Sequence, residues 1–318
     1  MHDFDPRDLT SHDRDDHRPD LSRGGHGEHA ARGLDRATRD PRDIAVRHVY
    51  LPSGPRREPV RVRGRDYTLN GNQSRVLATA GTFRVVSSHD LEASLGRACA
   101  HRSADLRHLR ENGLIETVPR PGHGDRIVTL TERGRDLLEA QRRPNEGGAG
   151  ARQAFYAGVR KPRELEHDAQ VYRAYREAAD RVTSRGGRLR RVVLDYELKR
   201  EYQRFLQERN RGRAEGDGRP ERDDDEIAAW AVDHHLPYFD EQVHFPDVRI
   251  EYEDIDGRSR EDDVEVTTAH YRGAHAAAVA RSGFSGYRGG SARVSAGRGS
   301  GRGRGGGRGP RLAEEMLS

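Results

Sequence analysis

The sequence predicts a chain of mixed class, α/β and α+β, with two patterned regions between polar tails. Three observations carry that expectation. Only 32% of the 318 residues are hydrophobic and 35% are charged, too few apolar side chains for one core using the whole chain. The apolar residues nevertheless cluster in segments with helical or strand periodicity, which excludes a wholly disordered chain. The pattern also changes along the chain, from helices and one hairpin in residues 44–140 to alternating helices and strands in residues 153–287.

Residues 1–43 are mostly Asp, Arg, His, Gly and Pro, a composition that predicts disorder. Residues 288–318 contain SARVSAGRGSGRGRGGGRGP, a Gly/Arg tract that is expected to stay flexible and either to bind nucleic acid loosely or to be a solvated tail of biased composition. QRRPNEGGAG supplies the linker expected at 141–152. The formal charge of +4 makes only a weak case for an acidic partner. Only Lys161 and Lys199 are lysine, so 55 of the 57 basic residues are arginine, a skew that suggests a high-GC coding background as much as phosphate contacts. Cys99 stands alone, so neither an intrachain disulfide nor a Cys-based zinc site is expected. No apolar run approaches the ~20 residues of a membrane span, and the expectation is a cytoplasmic protein with no membrane partner.

In the first region VRVRGRDYTL predicts a strand from Val60 to Leu69. Val76, Leu77 and Ala80 then share a helical face, with Gly81 expected to end the helix. Ser88 is the expected N-cap of HDLEASL, and Gly96 the turn into RACAHRSADLRHLREN, which Gly113 stops. Leu114 and Ile115 start a strand, PRPGHGDR reverses the chain, IVTL returns and TERGRDLLEA closes with a helix. Two helices joined by a glycine turn, a basic-tipped hairpin and a closing helix predict a winged helix-turn-helix. LRENGLIE and GDRIVTLTERGRDLLEA resemble the corresponding segments of the multiple-antibiotic-resistance-regulator type of winged helix, over residues 70–140.

Helical geometry nominates a nucleic-acid face. Cys99, Leu106, Leu109 and Gly113 share the core side of the third helix, while Arg97, His101, Ala104, Arg107 and His108 point away. In a major groove the arginines would reach phosphates or guanine edges, the histidines would donate to acceptors, and Ala104 would meet a thymine methyl. Arg120, His123 and Arg126 of the wing would reach backbone or minor groove.

In the second region ELEHDAQVYRAYREAADRV predicts an amphipathic helix ending near Ser184. A strand follows over Leu189–Leu194, then a helix capped by Asp195 with the stripe Leu198, Tyr202, Phe205 and Leu206, then a helix in EIAAWAVDHH. Across the DIDG turn, Val248, Ile250, Tyr252, Val264 and Val266 form one face of a hairpin whose other face is acidic. Asp247 and Glu265 would supply the oxygen ligands that Mg²⁺ or Mn²⁺ prefers if that face lines a cleft; otherwise it is the wet side of a sheet.

This order, with a further helix in GAHAAAVARSGF, resembles the restriction-endonuclease-like core, whose signature reads P-D, then D or E, any residue, K. More narrowly, the winged helix followed by EHDAQVYRAY, RVVLDYELK, FPDVRIEYE and DVEVTT is similar to replication-relaxation type proteins of mobile genetic elements. The resemblance implies a nuclease-like domain with Asp247 and Glu265 as catalytic and metal residues. Thr267 stands where the lysine should be, and a hydroxyl cannot orient water as an ammonium does. Lys199 is the candidate replacement, with His270 and Arg272 as others. Glu197 and Lys199 form an E-x-K of their own, but in the first turn of a helix they diverge by about 200°. The dipeptide His167-Asp168 and the set His234, His235 and His244 are weaker metal candidates.

The expectation is therefore double-stranded DNA binding through the winged helix, as a regulator or accessory replication factor of a mobile element, with a nuclease-like domain that cleaves weakly or not at all. DNA binding requires no cofactor, Mg²⁺ or Mn²⁺ is compatible with the nuclease-like domain, and a homodimer is compatible with the whole. The alternatives are an active Mg²⁺-dependent endonuclease and a protein-assembly module. No small-molecule effector is indicated.

Overall fold

In a computed structural model the described residues are 43–93, 102–120, 122, 124–144, 152–159, 164–208, 222–267 and 280–289. Cys99 and the expected tails lie outside them, except that Asp43 starts a helix and Arg288 ends a strand, each at the inner edge of its expected tail. The fold is mixed α and β.

After a short helix α1 (Asp43–Val46), the expected single strand is a hairpin of β1 (Glu58–Val62) and β2 (Arg65–Leu69), with Val60 opposite Tyr67. Arg63 and Gly64 both take positive φ, 50° and 77°, which makes the tight two-residue turn whose twist matches the strands. Alternation alone runs through that turn unbroken. Helix α2 (Gly71–Phe83) opens on a reciprocal cap: the Asn70 side chain accepts from Gln73 N at 2.9 Å, and the Gln73 side chain from Asn70 N at 3.1 Å. It does not end at Gly81. That glycine serves close packing, since a Cβ there would lie 2.7 Å from Leu138 Cδ1.

Strand β3 (Val86–Ser87) leads into α3 (Ser88–Ala93). Ser87 supplies the cap in place of Ser88, accepting from Asp90 N at 3.4 Å, while the Ser88 hydroxyl accepts from Arg126 N at 3.1 Å. Next come α4 (Arg102–Glu111), β4 (Ile115–Pro119), β5 (Arg126–Leu130) and α5 (Glu132–Ala140). The three strands form an antiparallel sheet in the order β3-β5-β4. Gly113, at φ 66°, makes the turn out of α4, and the Thr131 hydroxyl caps α5 by accepting from Gly134 N.

The second half begins with α6 (Leu165–Ser184), β6 (Arg188–Leu194), α7 (Asp195–Glu208) and α8 (Asp224–Asp233). A two-residue pair, β7 (Tyr238–Phe239) and β8 (Gln242–Val243), precedes β9 (Val248–Glu253), β10 (Ser259–Thr267) and β11 (Ser285–Arg288). The sheet order is β11-β10-β9-β6; β6, β9 and β10 run antiparallel and β11 runs parallel to β10. A parallel neighbour requires a crossover, and residues 280–282 are the helical end of that connection. The rest of the helix expected in GAHAAAVARSGF lies outside the described residues.

Side chains alternate across this sheet. Val192 belongs to a core that includes α6 residues, while Val193 packs with Leu198, Trp230 and Leu236 under α7 and α8. The α6-side core is continuous with that of the first half. Phe83 lies edge-on to Tyr172 at 5.0 Å and against Tyr175 at 4.7 Å. Arg84–Asp168 at 2.7 Å and Arg173–Asp90 at 2.6 Å cross the same junction. Among the described residues no helix is long and apolar enough to cross a membrane.

Candidate functional site

Two groups of side chains are the candidates. The first is the outer surface of α4. Leu109 is buried and Leu106 half-buried, so the opposite side, with Ala104, Arg107 and Arg110, faces solvent. Gln73 holds the helix to α2 by donating to Asp105 at 2.8 Å. His108 is not on the outward face as expected: its Nε2 sits 2.8 Å from the Thr68 carbonyl and ties α4 to β2. Arg97, His101 and His123 lie outside the described residues.

Arg120 is a second correction. It is 5% exposed and turns inward, donating to Glu166 at 2.7 Å and to Asp125 at 3.1 Å. A basic residue beside a Pro/Gly-rich reversal reads as a free tip, but burial against α6 leaves its charge only these carboxylates. Arg126 is exposed, with its guanidinium laid along β4 on the Thr117 hydroxyl and carbonyl, at 3.1 and 3.0 Å.

The second group is built where β9 and β10 meet α6. Pro246 stands just before β9, where its missing N–H costs no ladder bond, and it is followed by Asp247. Val248 pairs with Val264, so Asp247 and Glu265 are the next positions along their two strands. Asp247 Oδ2 accepts from Val266 N at 2.8 Å and lies 3.1 Å from His167 Nε2. His167 Nδ1 lies 3.6 Å from Asp168 Oδ1, and Asp168 in turn accepts from Arg84. The sequence motif and the dipeptide it seemed unrelated to thus form one cluster.

Its electrostatics follow from burial and neighbours. Burial by itself would lower the His167 pKa, but the flanking Asp168 and Asp247 carboxylates raise it to about 10. The ring is therefore an imidazolium at neutral pH. Glu265, 6% exposed, is pushed up to about 8, first by burial and then by the Asp247 charge, with His167 and Lys199 opposing. Burial would also raise Asp168, but His167 and Arg84 hold it below the usual carboxylate range.

The lysine question resolves into positions. Lys199, with its side chain 54% exposed, pairs with Asp195 at 2.7 Å in the first turn of α7. Glu197 points the other way, buried on Arg191, with Tyr156 Oη donating to it at 3.3 Å. The Thr267 hydroxyl donates to the Tyr287 carbonyl at 3.0 Å, which commits it to the edge strand. The remaining acidic face of the hairpin is covered by arginines: Arg249 binds Asp263 at 2.7 Å and Glu261 at 3.1 Å, and Arg191 reaches Glu251 at 3.2 Å.

No family model, curated protein or solved structure matches the chain. The site must be read from its own chemistry.

As arranged, the acidic pair does not fit a divalent ion. The imidazolium of His167 already provides the positive charge beside Asp247, and burial raises the Glu265 pKa, which disfavours its carboxylate form. Among the described residues no group of three or more His, Cys, Asp or Glu side chains is placed to hold a metal. His234 instead bonds the Trp230 carbonyl and His244 stacks on Phe239 at 3.7 Å. No local pattern links His167 to Asp247, 80 residues away. The available hint is its place in the first turn of a helix, where the macrodipole disfavours a cation and a carboxylate partner is needed.

Proposed function

We propose that the chain binds double-stranded DNA through a winged helix, and that its second half is a nuclease-like domain without cleavage activity. The observation that carries the reading is the exposed outer face of α4, set in the element order α2-β3-α3-α4-β4-β5-α5 with sheet order β3-β5-β4. A helix supported from behind by a core and flanked by a hairpin is built to enter a major groove. Arg107 and Arg110 are its available cations. The order α6-β6-β9-β10-β11, with β11 parallel to β10, supports the nuclease-like reading of the second half. Asp247, just before β9, and Glu265, on β10, lie side by side there, which fits the resemblance. The self-neutralised cluster argues against hydrolysis, because Asp247 is already held by His167 and the Val266 N–H and is not a free general base. A role as regulator or accessory replication factor of a mobile element rests on the resemblance in sequence.

The test is a duplex shift assay across salt concentrations. Arg107→Ala with Arg110→Ala should reduce the slope of log affinity against log salt by about 1.8, or about 0.9 per phosphate contact. An unaltered slope would remove α4 as the binding face. In the same samples Mg²⁺ or Mn²⁺ should yield no strand cleavage; robust cleavage lost in Asp247→Asn and Glu265→Gln would make the protein an endonuclease instead.

A further inference from the structure

A cleft of about 1360 Å³ opens at the far end of the second sheet from Asp247 and Glu265. One wall is made by residues 188–191 of β6, 251–253 of β9 and 259–263 of β10; the other comes from the first half, through Arg47, His48, Arg142, Arg143 and Arg152. Eight arginines and five carboxylates line it. The carboxylates are largely engaged: Glu253 by Arg190, Glu251 by Arg191, Asp263 and Glu261 by Arg249, and Asp262 by Arg181 and Ser285.

Arg190 and Arg191 are thereby paired, and Arg142 pairs with Glu139 and Arg260 with Asp254, but Arg143, Arg152 and Arg188 are not matched in the same way. Arg143 donates to the Val49 carbonyl at 3.0 Å and lies 4.7 Å over the Tyr50 ring, contacts that fix it without cancelling its charge. Arg152 and Arg188 are exposed, and among the described residues neither forms an ion pair with a carboxylate. Cations also crowd one another at the cleft floor. Burial lowers the Arg47 pKa, Asp43 opposes, and Arg188 and Arg190 lower it further. Burial and the charges of Arg142, Arg191 and Arg47 likewise lower His48, against its bond to the Arg190 carbonyl. Gathering like charges this way costs stability unless an anion relieves it.

Shape and lining narrow the anion. The volume exceeds the ~300–1,000 Å³ of ordinary small-molecule pockets, and a concave slot does not suit a duplex, which is read by convex elements entering its grooves. Half-exposed Phe284 lines the cleft beside the arginines, whereas the Tyr252 ring packs on the other face of the sheet, against the α6-side core. Guanidinium groups for phosphates alongside a ring for a base make the combination that takes an extended strand.

We propose that this cleft binds single-stranded nucleic acid, with phosphates on Arg143, Arg152 and Arg188 and a base against Phe284. It is a separate site from the α4 face and does not depend on the duplex reading.

The test measures fluorescence anisotropy of a labelled oligothymidylate on the full chain over a salt series. Arg152→Ala with Arg188→Ala should weaken binding about tenfold at low salt and flatten the slope by about 1.4, or about 0.7 per contact on a single strand. Both residues are exposed, so the thermal transition should not move, and duplex binding should be unchanged. The Arg107→Ala, Arg110→Ala protein should retain oligothymidylate binding, which separates failure of one site from failure of the other. An abasic deoxyribose-phosphate strand should bind the parent protein more weakly than oligothymidylate. An unchanged slope in the double variant overturns the proposal, as does equal loss for duplex; abasic or inorganic polyphosphate binding as tight as oligothymidylate overturns the nucleic-acid assignment.

Discussion

His167 and Glu265 make the stability of the fold depend on pH in one direction. Both pKa values are raised in the folded state, His167 from 6.5 to about 10 and Glu265 from 4.5 to about 8. A raised group contributes stability that is complete below its unfolded value and is lost as pH rises through its folded value. The window therefore opens near 4.5 for Glu265 and 6.5 for His167, and closes near 8 and 10. The transition temperature should fall between pH 6 and pH 10. His167→Gln should cost on the order of 2 kcal/mol at pH 6, after discounting for the coupling between the two groups, or roughly 4–8 °C. That gap should narrow towards pH 10, where the parent imidazole also becomes neutral; thermal melts showing a constant gap would remove the imidazolium from the cluster. Asp247 and Glu265 were legible in the sequence because residue type and spacing name them. His167 was not, because its partner is fixed by the tertiary packing of α6 on β9 and β10.

At the scale of elements, two glycines test what a local pattern can and cannot say. Gly81 looks like a helix stop because glycine is the usual C-cap residue, yet it lies inside α2 against Leu138, Leu130 and Phe155. Gly134 sits in the first turn of α5, where a Cβ would lie 2.1 Å from the Leu114 carbonyl oxygen. That oxygen already accepts from Thr131 N at 3.1 Å, so strand and helix are locked at this point. Gly134→Ala should cost about 1–3 kcal/mol because backbone cannot give way. Gly81→Ala should cost less: its neighbours are side-chain ends, and alanine gains ~1 kcal/mol in helix propensity. Denaturant melts in which Gly81→Ala is the more damaging would contradict this account. Long amphipathic segments such as α6 and α7 were readable because a dozen or more residues repeat one period. The β1–β2 turn, the two-residue strands β7 and β8, and β11 were not, since alternation continues through the turn and the strands are too short to carry any.

The two halves read as separate pattern regions joined by a polar linker, but burial connects them. Phe83 from α2 fills the space between Tyr172 and Tyr175 of α6, and one hydrophobic cluster runs from Ile44 to Val266. Arg84–Asp168, Arg173–Asp90 and Arg120–Glu166 add buried or half-buried charge pairs across the junction. Removing either half would expose the tyrosines and leave these charges unpaired, a loss of several kcal/mol that neither remaining core could offset. A cut in the linker should therefore leave the pieces associated, and the chain should unfold as one cooperative unit. In calorimetry the van't Hoff and measured enthalpies should agree, and Phe83→Ala should lower the whole transition, with a cost of about 3–5 kcal/mol. Two resolved transitions, only one of them shifted by Phe83→Ala, would show that the halves fold independently. One cooperative body also fixes the cleft walls against each other, since Arg143 and Arg152 come from one half and Arg188 from the other. The same calorimetric experiment thus bears on whether the cleft is a formed site: independent halves would leave Arg143 and Arg152 free to move away from Arg188, and the single-strand slope change would then be smaller than the sum of the contacts.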